Sequence, residues 1–384
     1  MRFPAALIFA GLLAIASYPG LAATSTLEVT AHDGVKLKAT HYSPGKPGPG
    51  VLLLHMCNSD RSAWSGLGRL LAARGIHALA LDYRGYGASG GPRDAQGEAA
   101  RRQRAEDWPR DFDAALEALR SRPGVDGQRL GAGGGSCGVN NAVQLARRHP
   151  GEVQVLALLA GSTDQAGHDF LGANPWLPVL AVASRDDGQA VTTTRWTLGY
   201  SSHGDNRFLE YEAGGHGTEL FAVHKGLEPA LADWFEQHLI EKPVARPAKF
   251  EPRPGPSAEI GSKVFARGGA AQIRRELRTA KSRGETVPLP PEGVINVEGY
   301  RLLGEGEIPA AMELFHLNVE AFPRSANALD SLGDAYKAAG QPAKAAEYAR
   351  KAIAAIPGDP EISEAFAAAV RESAESKLET PGAP

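Results

Sequence analysis

The chain has 384 residues, which exceeds the usual size of a single domain, so we expect two domains. Its 43% hydrophobic and 22% charged residues are typical of a globular protein, and its formal net charge is only -3. This charge balance provides no basic surface for nucleic acid, so the predicted partners are small molecules, peptides or proteins.

Residues 1–23 have the layout of a secretory signal peptide. One early charge at Arg2 precedes an apolar run over residues 6–16, and small residues follow before a polar segment. The apolar run is shorter than the ~20 residues of a membrane-spanning helix, so no span is expected in the mature chain. We therefore predict export, to the periplasm or outside the cell, with cleavage near Ala22 or Ala23.

Residues 24–241 alternate apolar strands with amphipathic helices. Strands are predicted at 27–31, 35–41, 51–55, 77–82, 129–133, 153–160, 179–184 and 208–211, and helices at 62–74, 108–121, 139–148 and 220–238. Continuous apolar runs such as "VLLL" and "VQVLALLA" suit a sheet that is covered on both faces. The predicted fold class is therefore α/β, with a mostly parallel sheet and helices on both faces.

A proline-rich linker is predicted at residues 242–258, because five prolines fall within residues 242–256. Beyond it, small residues and prolines recur with a period of 34 residues, in the pairs Gly299 and Gly333, Ala311 and Ala345, and Pro323 and Pro357.

This spacing resembles that of tetratricopeptide repeats, although Asn318 stands where a small residue is usual. The resemblance implies a small all-α domain over residues 259–376, with flanking helices at 259–282 and 361–376. It also implies a protein partner for the repeats, and packing of the repeats against the first domain is the alternative. Residues 377–384 are predicted to be a disordered tail.

The segment "GGSCG", residues 134–138, follows a predicted strand and opens a predicted helix. A nucleophile in such a turn has a strained backbone, so the residues two before and two after it must be small. A frame centred on Ser136 has glycine at both positions, whereas a frame centred on Cys137 has Val139 at one of them. Ser136 is therefore the predicted nucleophile, and Cys137 is the alternative.

Several stretches of the first domain resemble the α/β-hydrolase superfamily: "VLLLHMCN", "ALDYRGYGASGG", "VDGQRLGAGGGSCG", "PVLAVASRDD" and "AGGHG". The resemblance covers about residues 27–239, and the chain order Ser, Asp, His is that of the superfamily. The short connection between the sixth and seventh strands is most similar to the dienelactone-hydrolase-like and peptidase-like branches. The resemblance implies a serine hydrolase that works through a Ser-His-Asp triad.

A serine hydroxyl needs a general base to attack a carbonyl group at neutral pH. His216 lies between glycines after the last strand and is the predicted base. His203 and His224 are the alternatives, and both are predicted to be surface residues.

The histidine in turn needs a carboxylate that fixes its tautomer. The resemblance implies an acid three residues past a small residue at the strand end, and counting from Ser184 gives Asp187. Asp186 is the first alternative and Asp164 the second.

The resemblance implies an oxyanion hole made by the backbone amides of Cys137 and of Met56 or Cys57. Met56 stands where the superfamily usually has glycine. If Cys57 and Cys137 both donate to one oxygen, their Cα atoms lie within the ~4.4 to 6.8 Å that a disulfide requires. In an exported protein we therefore hypothesise a bridge between them, and two separate buried thiols are the alternative.

Arg84, Arg93 and Trp176 lie in loops that are predicted to rim the site. No metal or cofactor site is predicted, because the histidines are scattered and the two cysteines lack Cys-x-x-Cys spacing. The predicted function is hydrolysis of a small carboxylic ester, with a peptide or amide as the second choice. A non-catalytic scaffold that acts through its repeats is the alternative from another class.

Overall fold

The computed structural model describes residues 23–93, 97–244, 246–360, 362 and 364–378, and the structural statements below concern these residues. The predicted signal peptide lies outside them except for Ala23, which begins the first strand. Its cleavage stays a prediction.

Eight strands form one sheet in the first domain. They are β1 (Ala23–Thr30), β2 (Lys36–Ser43), β3 (Gly48–Leu54), β4 (His77–Leu81), β5 (Val125–Gly135), β6 (Val153–Leu159), β7 (Val179–Ser184) and β8 (Arg207–Tyr211). The order across the sheet is β1-β2-β4-β3-β5-β6-β7-β8, and only the pairings of β2 with β1 and β4 are antiparallel. Each strand predicted from the sequence overlaps one of these, which confirms the mostly parallel sheet.

The central strands are apolar on both faces because helices cover both faces. Successive side chains point to opposite sides, so Leu52 and Leu54 join one core, whereas Val51 and Leu53 join the other.

Eight helices belong to this domain: α1 (Ser65–Ala73), α2 (Gly97–Arg102), α3 (Trp108–Arg120), α4 (Cys137–Arg148), α5 (Gln165–Ala173), α6 (Ala190–Leu198), α7 (Leu220–Val223) and α8 (Leu227–Glu236). Apolar side chains of α3 and α4 pack on one face of the sheet, and those of α1 and α8 pack on the other.

The single helix predicted at 220–238 is wrong, because the chain breaks between α7 and α8. Pro229 lies in the first turn of α8, where its missing N–H would be unpaired in any case. In one continuous helix the same proline would remove an interior hydrogen bond.

The second domain is made of helices α9 (Pro256–Val264), α10 (Gly269–Arg283), α11 (Glu292–Gly304), α12 (Ile308–Ala321), α13 (Ala326–Ala338), α14 (Pro342–Ala355) and α15 (Glu364–Leu378). The helix predicted at 259–282 is interrupted between α9 and α10, where Gly268 has a φ of +76°. The repeated small residues allow close crossing: a Cβ on Gly299 would lie 2.7 Å from the ring of Phe315.

The predicted linker ends earlier than the sequence suggested, because Pro256 is the first residue of α9. A proline suits this position since its fixed φ is helical and its missing N–H is not needed there. Two backbone hydrogen bonds also fix the junction to the first domain: Gly255 N donates to Tyr200 O at 2.9 Å, and Ser257 N donates to Gly199 O at 3.1 Å.

The disordered tail predicted from residue 377 is also wrong at its start, because Lys377 and Leu378 end α15. The Lys377 side chain is 1% exposed, and its ammonium lies 2.9 Å from the carboxylate of Asp330. Residues 379–384 lie outside the described part of the chain. None of the described helices is long and apolar enough to cross a membrane.

Candidate active site

Ser136 occupies the sharp turn between β5 and α4. Its backbone has φ 53° and ψ -122°, in the region that L residues rarely adopt and that costs about 1 to 3 kcal/mol. A Cβ on Gly134 would overlap the carbonyl oxygen of Gly138, so the turn requires glycine at that position. The strained position of the "GGSCG" segment is therefore Ser136, and Cys137 is the first helical residue after it.

His216 follows β8, and Asp187 follows the neighbouring parallel strand β7. The Nδ1 atom of His216 lies 2.6 Å from Oδ2 of Asp187. This hydrogen bond raises the pKa of the His216 imidazole, and burial opposes the shift. The pairing leaves Nε2 of His216 as the ring atom that can accept a proton.

Asp186 has a different role in the same loop. Its carboxylate accepts from the hydroxyl of Ser184 at 2.6 Å and from the backbone N–H of Gly214 at 2.9 Å. The Ser184 hydrogen bond is the largest of the effects that lower the pKa of Asp186. Asp186 therefore ties the end of β7 to the segment before His216 and does not contact the imidazole.

The other carboxylate and histidine candidates lie elsewhere. Asp164 caps α5 by accepting from Gly167 N at 2.8 Å. His224 stacks on Tyr211, with ring centroids 3.9 Å apart, and His203 is half-buried in the loop before β8.

The loop of His216 lies directly on the turn of Ser136. A Cβ on Gly217 would be 3.6 Å from the backbone nitrogen of Ser136. The side chains of Ser136 and His216 form no direct hydrogen bond in the described structure. In structures without substrate, hydrogen bonds between catalytic groups are often long or poorly aligned.

Met56 fills the space between these two loops. Its sulfur accepts a hydrogen bond from Thr218 N at 3.3 Å, and its side chain lies 3.3 Å from where a Cβ of Gly135 would be. The side chain is 4% exposed. Met56, which departs from the usual glycine, thus connects the loop after β3 to the loop that carries His216.

The first three carbonyl groups of the loop after β3 all accept hydrogen bonds. His55 O accepts from the Tyr83 hydroxyl at 2.7 Å, Met56 O accepts from Ser59 N at 3.1 Å, and Cys57 O accepts from Arg93 Nη2 at 3.1 Å. Within the described part of the chain, the N–H groups of Met56 and Cys57 have no acceptor. The loop is therefore fixed through its carbonyl groups, and these two N–H groups can donate to a bound molecule.

Cys137 offers a further amide. As the first residue of α4 it has no carbonyl of that helix to bond, and the N-terminus of a helix favours negative charge. The structure joins Cys57 and Cys137 as a disulfide with Cα atoms 5.9 Å apart. This bridge spans 80 residues and connects the two loops that carry the predicted oxyanion donors.

His55 is a structural residue of the site that sequence reasoning did not single out. It is fully buried, its Nδ1 lies 2.6 Å from Met56 O, and its Nε2 accepts from Tyr83 N at 3.1 Å. Burial lowers the pKa of His55, which keeps the ring neutral as these two contacts require. The position at the end of an apolar strand was the available signal.

Of the three residues predicted to rim the site, one lies there and two do not. Arg93 lies there, with its guanidinium 4.2 Å from the ring centroid of Tyr86. Arg84 and Trp176 do not, because both side chains are buried. Arg84 pairs with Asp111 at 2.9 Å and also contacts Asp33.

One group of residues in the described structure has the spacing of metal ligands. His32, Asp33 and Asp107 place ligand atoms within 4.8 Å of one another. Arg84 already pairs with Asp33 and holds its pKa at about 2, so this carboxylate is committed to an ion pair.

Comparison with known proteins supports both parts of the fold. Residues 45–195 match the family described as serine aminopeptidase, S33, and residues 326–369 match the tetratricopeptide repeat. The first match contains Ser136 and Asp187 and ends before His216.

Two curated relatives, both described as uncharacterized proteins of Mycobacterium tuberculosis (strains CDC 1551 / Oshkosh and ATCC 25618 / H37Rv), are 32% identical over 153 residues. The match covers 39% of this chain and 50% of each relative, so it spans half of their length.

Solved structures are also similar in shape. Dienelactone hydrolase from Anabaena variabilis is 20% identical, with a TM-score of 0.44 over 57% of this chain and 99% of that chain. An esterase of Pyrococcus furiosus is 16% identical, with a TM-score of 0.44 over 57% of this chain and 94% of that chain. At these TM-scores the likeness carries no argument by itself. The sheet order and the family match together show that the first domain has the α/β-hydrolase fold, and the helices after it match a tetratricopeptide repeat.

Proposed function

We propose that the protein is a serine hydrolase that cleaves a carboxylic ester through a triad of Ser136, His216 and Asp187. The observation that carries this proposal is the 2.6 Å contact between His216 and Asp187, formed beside a serine with a strained backbone. Strained residues of this kind cluster at functional sites.

The mechanism follows from the donors and acceptors. His216 Nε2 takes the proton of the Ser136 hydroxyl as Oγ attacks the carbonyl carbon, and the imidazolium then protonates the leaving alcohol. Asp187 holds the proton on Nδ1 and stabilises the imidazolium. Water then attacks the same carbonyl carbon while His216 Nε2 takes its proton. The bond to Ser136 Oγ breaks as the imidazolium returns that proton to Oγ, which releases the acid and restores the serine hydroxyl.

The negative oxygen of each tetrahedral intermediate needs donors that are already oriented. We assign this role to the amide of Cys137 together with the amide of Met56 or Cys57, since these groups lack acceptors in the described structure. Each such donor is worth about 10² to 10³ in kcat.

Peptide or amide hydrolysis by the same triad is the second candidate. It is favoured by the family match, whose description is that of a serine aminopeptidase. A protein partner of the repeats stays a prediction, and we also propose export, which the Cys57–Cys137 disulfide and the layout of residues 1–23 support.

Labelling with a fluorophosphonate probe tests the nucleophile. Wild type is expected to label and Ser136→Ala to lose both labelling and hydrolysis. Ser162→Ala is the matched control, because Ser162 is a half-buried serine of the adjacent loop, and it should label like wild type. Labelling that persists in Ser136→Ala would point to another nucleophile, and an unlabelled wild type would favour the scaffold alternative.

Rates for p-nitrophenyl acetate, a long-chain p-nitrophenyl ester and an aminoacyl p-nitroanilide then separate the substrate classes. Preference for the anilide would replace the ester proposal by the peptidase one.

A further inference from the structure

The helical domain contacts the first domain at the loop of the proposed catalytic acid. Gln189 lies two residues after Asp187, and both polar atoms of its side chain are engaged. Its Nε2 donates to Oε2 of Glu292 at 2.6 Å, and its Oε1 accepts from Gly293 N at 2.7 Å. We call the loop after β7 that contains Asp187 and Gln189 the acid loop. The first two residues of α11 thus bind both polar atoms of the Gln189 side chain in this loop.

Glu292 is itself fixed from several directions. It is 3% exposed, and its Oε1 accepts from Nδ2 of Asn318 at 3.2 Å and from Nδ2 of Asn327 at 3.0 Å. Burial raises the pKa of Glu292 and Asp359 adds to the rise, whereas these amide donors oppose it. The carboxylate is therefore a rigid acceptor surrounded by three amide side chains.

Asn318, which departs from the repeat pattern, is in contact with Glu292. It is fully buried in α12, where a small residue is usual, and its Nδ2 also lies 3.2 Å from Glu292 O. Asn318 therefore contacts Glu292 through Nδ2 alone, and its Oδ1 is buried without a hydrogen-bond partner in the described structure.

The loop that contains Asp187 leads directly into the first turn of α6, where Gln189 O accepts from Thr193 N at 3.0 Å. Asp187 N donates to Ser184 O at 3.3 Å, and Ala190 N donates to Asp187 O at 2.9 Å, so the loop is a tight turn. It faces a cavity of about 330 Å³, lined by Asp187, Gln189, Glu292 and Asn327 among others, rather than packed side chains. Gln189 and Asp187 therefore belong to the same turn, and the Ala190 N–H hydrogen bond ties the end of that turn to Asp187 O.

We propose that Gln189 and Glu292 are positioning residues that keep the Asp187 carboxylate within hydrogen-bonding reach of His216. This inference rests on the triad of the proposed function. The helical domain then contributes to the reaction without touching substrate, by fixing the loop that holds the acid.

The test exchanges the two groups in the full chain. Gln189→Glu places two carboxylates face to face, and Glu292→Gln places two amide N–H groups face to face. Each single variant should lower kcat at least tenfold with KM changed less than twofold. The double variant restores one amide donor facing one carboxylate acceptor, and Gly293 N can still donate to residue 189, so kcat should return to within about threefold of wild type.

The pH profile of kcat/KM is the readout that a merely structural role would leave unchanged. Asp187 and Glu219 are the carboxylates whose charges act on His216, and Asp187 is also its hydrogen-bond partner. When Asp187 moves away, the imidazole loses the group that favours its protonated form. The acidic limb of each single variant should therefore move to lower pH and return in the double variant.

Two further variants separate the effect on the acid loop from a general loss of stability. Gln189→Met leaves Glu292 with both asparagine partners, so it preserves the helical domain and should show the same loss of kcat. Asp330→Asn weakens the buried pair with Lys377 elsewhere in the helical domain, and it should lower the urea midpoint without changing kcat or the acidic limb.

Wild-type kcat and an unmoved acidic limb in the single variants would overturn the inference, as would a double variant that fails to recover. If the wild type hydrolyses no ester, or no faster than Ser136→Ala, the proposed function itself is refuted, and the inference is refuted with it.

Discussion

Asp187 Oδ2 lies 2.6 Å from His216 Nδ1, and this contact joins the ends of two neighbouring parallel strands. Since β7 and β8 run in the same direction, the loops that follow them leave the same edge of the sheet. Asp186 is only one residue away, yet its carboxylate points to Ser184 and Gly214. The two adjacent carboxylates therefore have separate tasks.

Replacing the acid should separate these tasks. Asp187→Asn leaves an amide that cannot hold the proton on His216 Nδ1, so kcat should fall by about 10⁴-fold. Asp186→Asn keeps the Asp187 pairing and should lower kcat less than tenfold. Steady-state kinetics of both variants on one ester checks this, and equal losses would contradict the assignment of Asp187.

Hydrolysis should depend on pH through His216. The Asp187 hydrogen bond raises the pKa of this imidazole above its ordinary value of 6.5, and only the neutral ring can accept the Ser136 proton. The rate kcat/KM should therefore fall as the pH decreases through a midpoint above 6.5. In Asp187→Asn the midpoint should be lower, and a midpoint common to both proteins would argue against the pairing.

The Met56 sulfur should contribute to both the stability of the protein and kcat. Met56→Leu keeps a similar volume but removes the acceptor of Thr218 N, and an unpaired buried N–H costs about 1 to 3 kcal/mol. We expect a lower urea midpoint and a several-fold lower kcat, because the His216 loop loses a contact. Leu119→Met is the control, because Leu119 is also buried but lies against Gly50, at the end of β3 opposite to Met56, and this variant should keep kcat near wild type.

The disulfide should contribute to both stability and rate. Opening it with dithiothreitol, or by Cys57→Ser, should cost about 2 to 4 kcal/mol of unfolding free energy. The rate should fall as well, because the bridge joins the loops of the proposed oxyanion donors. Dithiothreitol should have no further effect on Cys57→Ser, and a wild type with two reactive thiols per unreduced chain would refute the bridge.

The glycine before the turn should be intolerant of a methyl group. A Cβ at Gly134 would overlap the Gly138 carbonyl, so Gly134→Ala should destabilise the protein by about 1 to 3 kcal/mol and reduce activity. Gly226→Ala is the matched control, because nothing lies within 4 Å of a Cβ there. Equal urea midpoints for the two variants would contradict the steric requirement.

The sequence by itself determined those features that depend on local chemistry. The strand and helix pattern follows from apolar periodicity, and Ser136 was recognisable because the chain must bend sharply beside it and only glycine fits on both sides. Two helices that periodicity alone would continue show the limit of this reasoning: one ends before α8, which has Pro229 in its first turn, and the other is interrupted at Gly268.

Tertiary structure decided the contacts between residues that are distant along the chain. Asp187 and Asp186 have the same charge and nearly the same position, so the turn after β7 alone determines which carboxylate reaches His216. The disulfide across 80 residues likewise depends on the strand order. The hydrogen bond between Gln189 and Glu292 depends on how the two domains pack. Such contacts leave no periodic signal in a single sequence, because their partners meet only after the sheet and the helical domain have assembled.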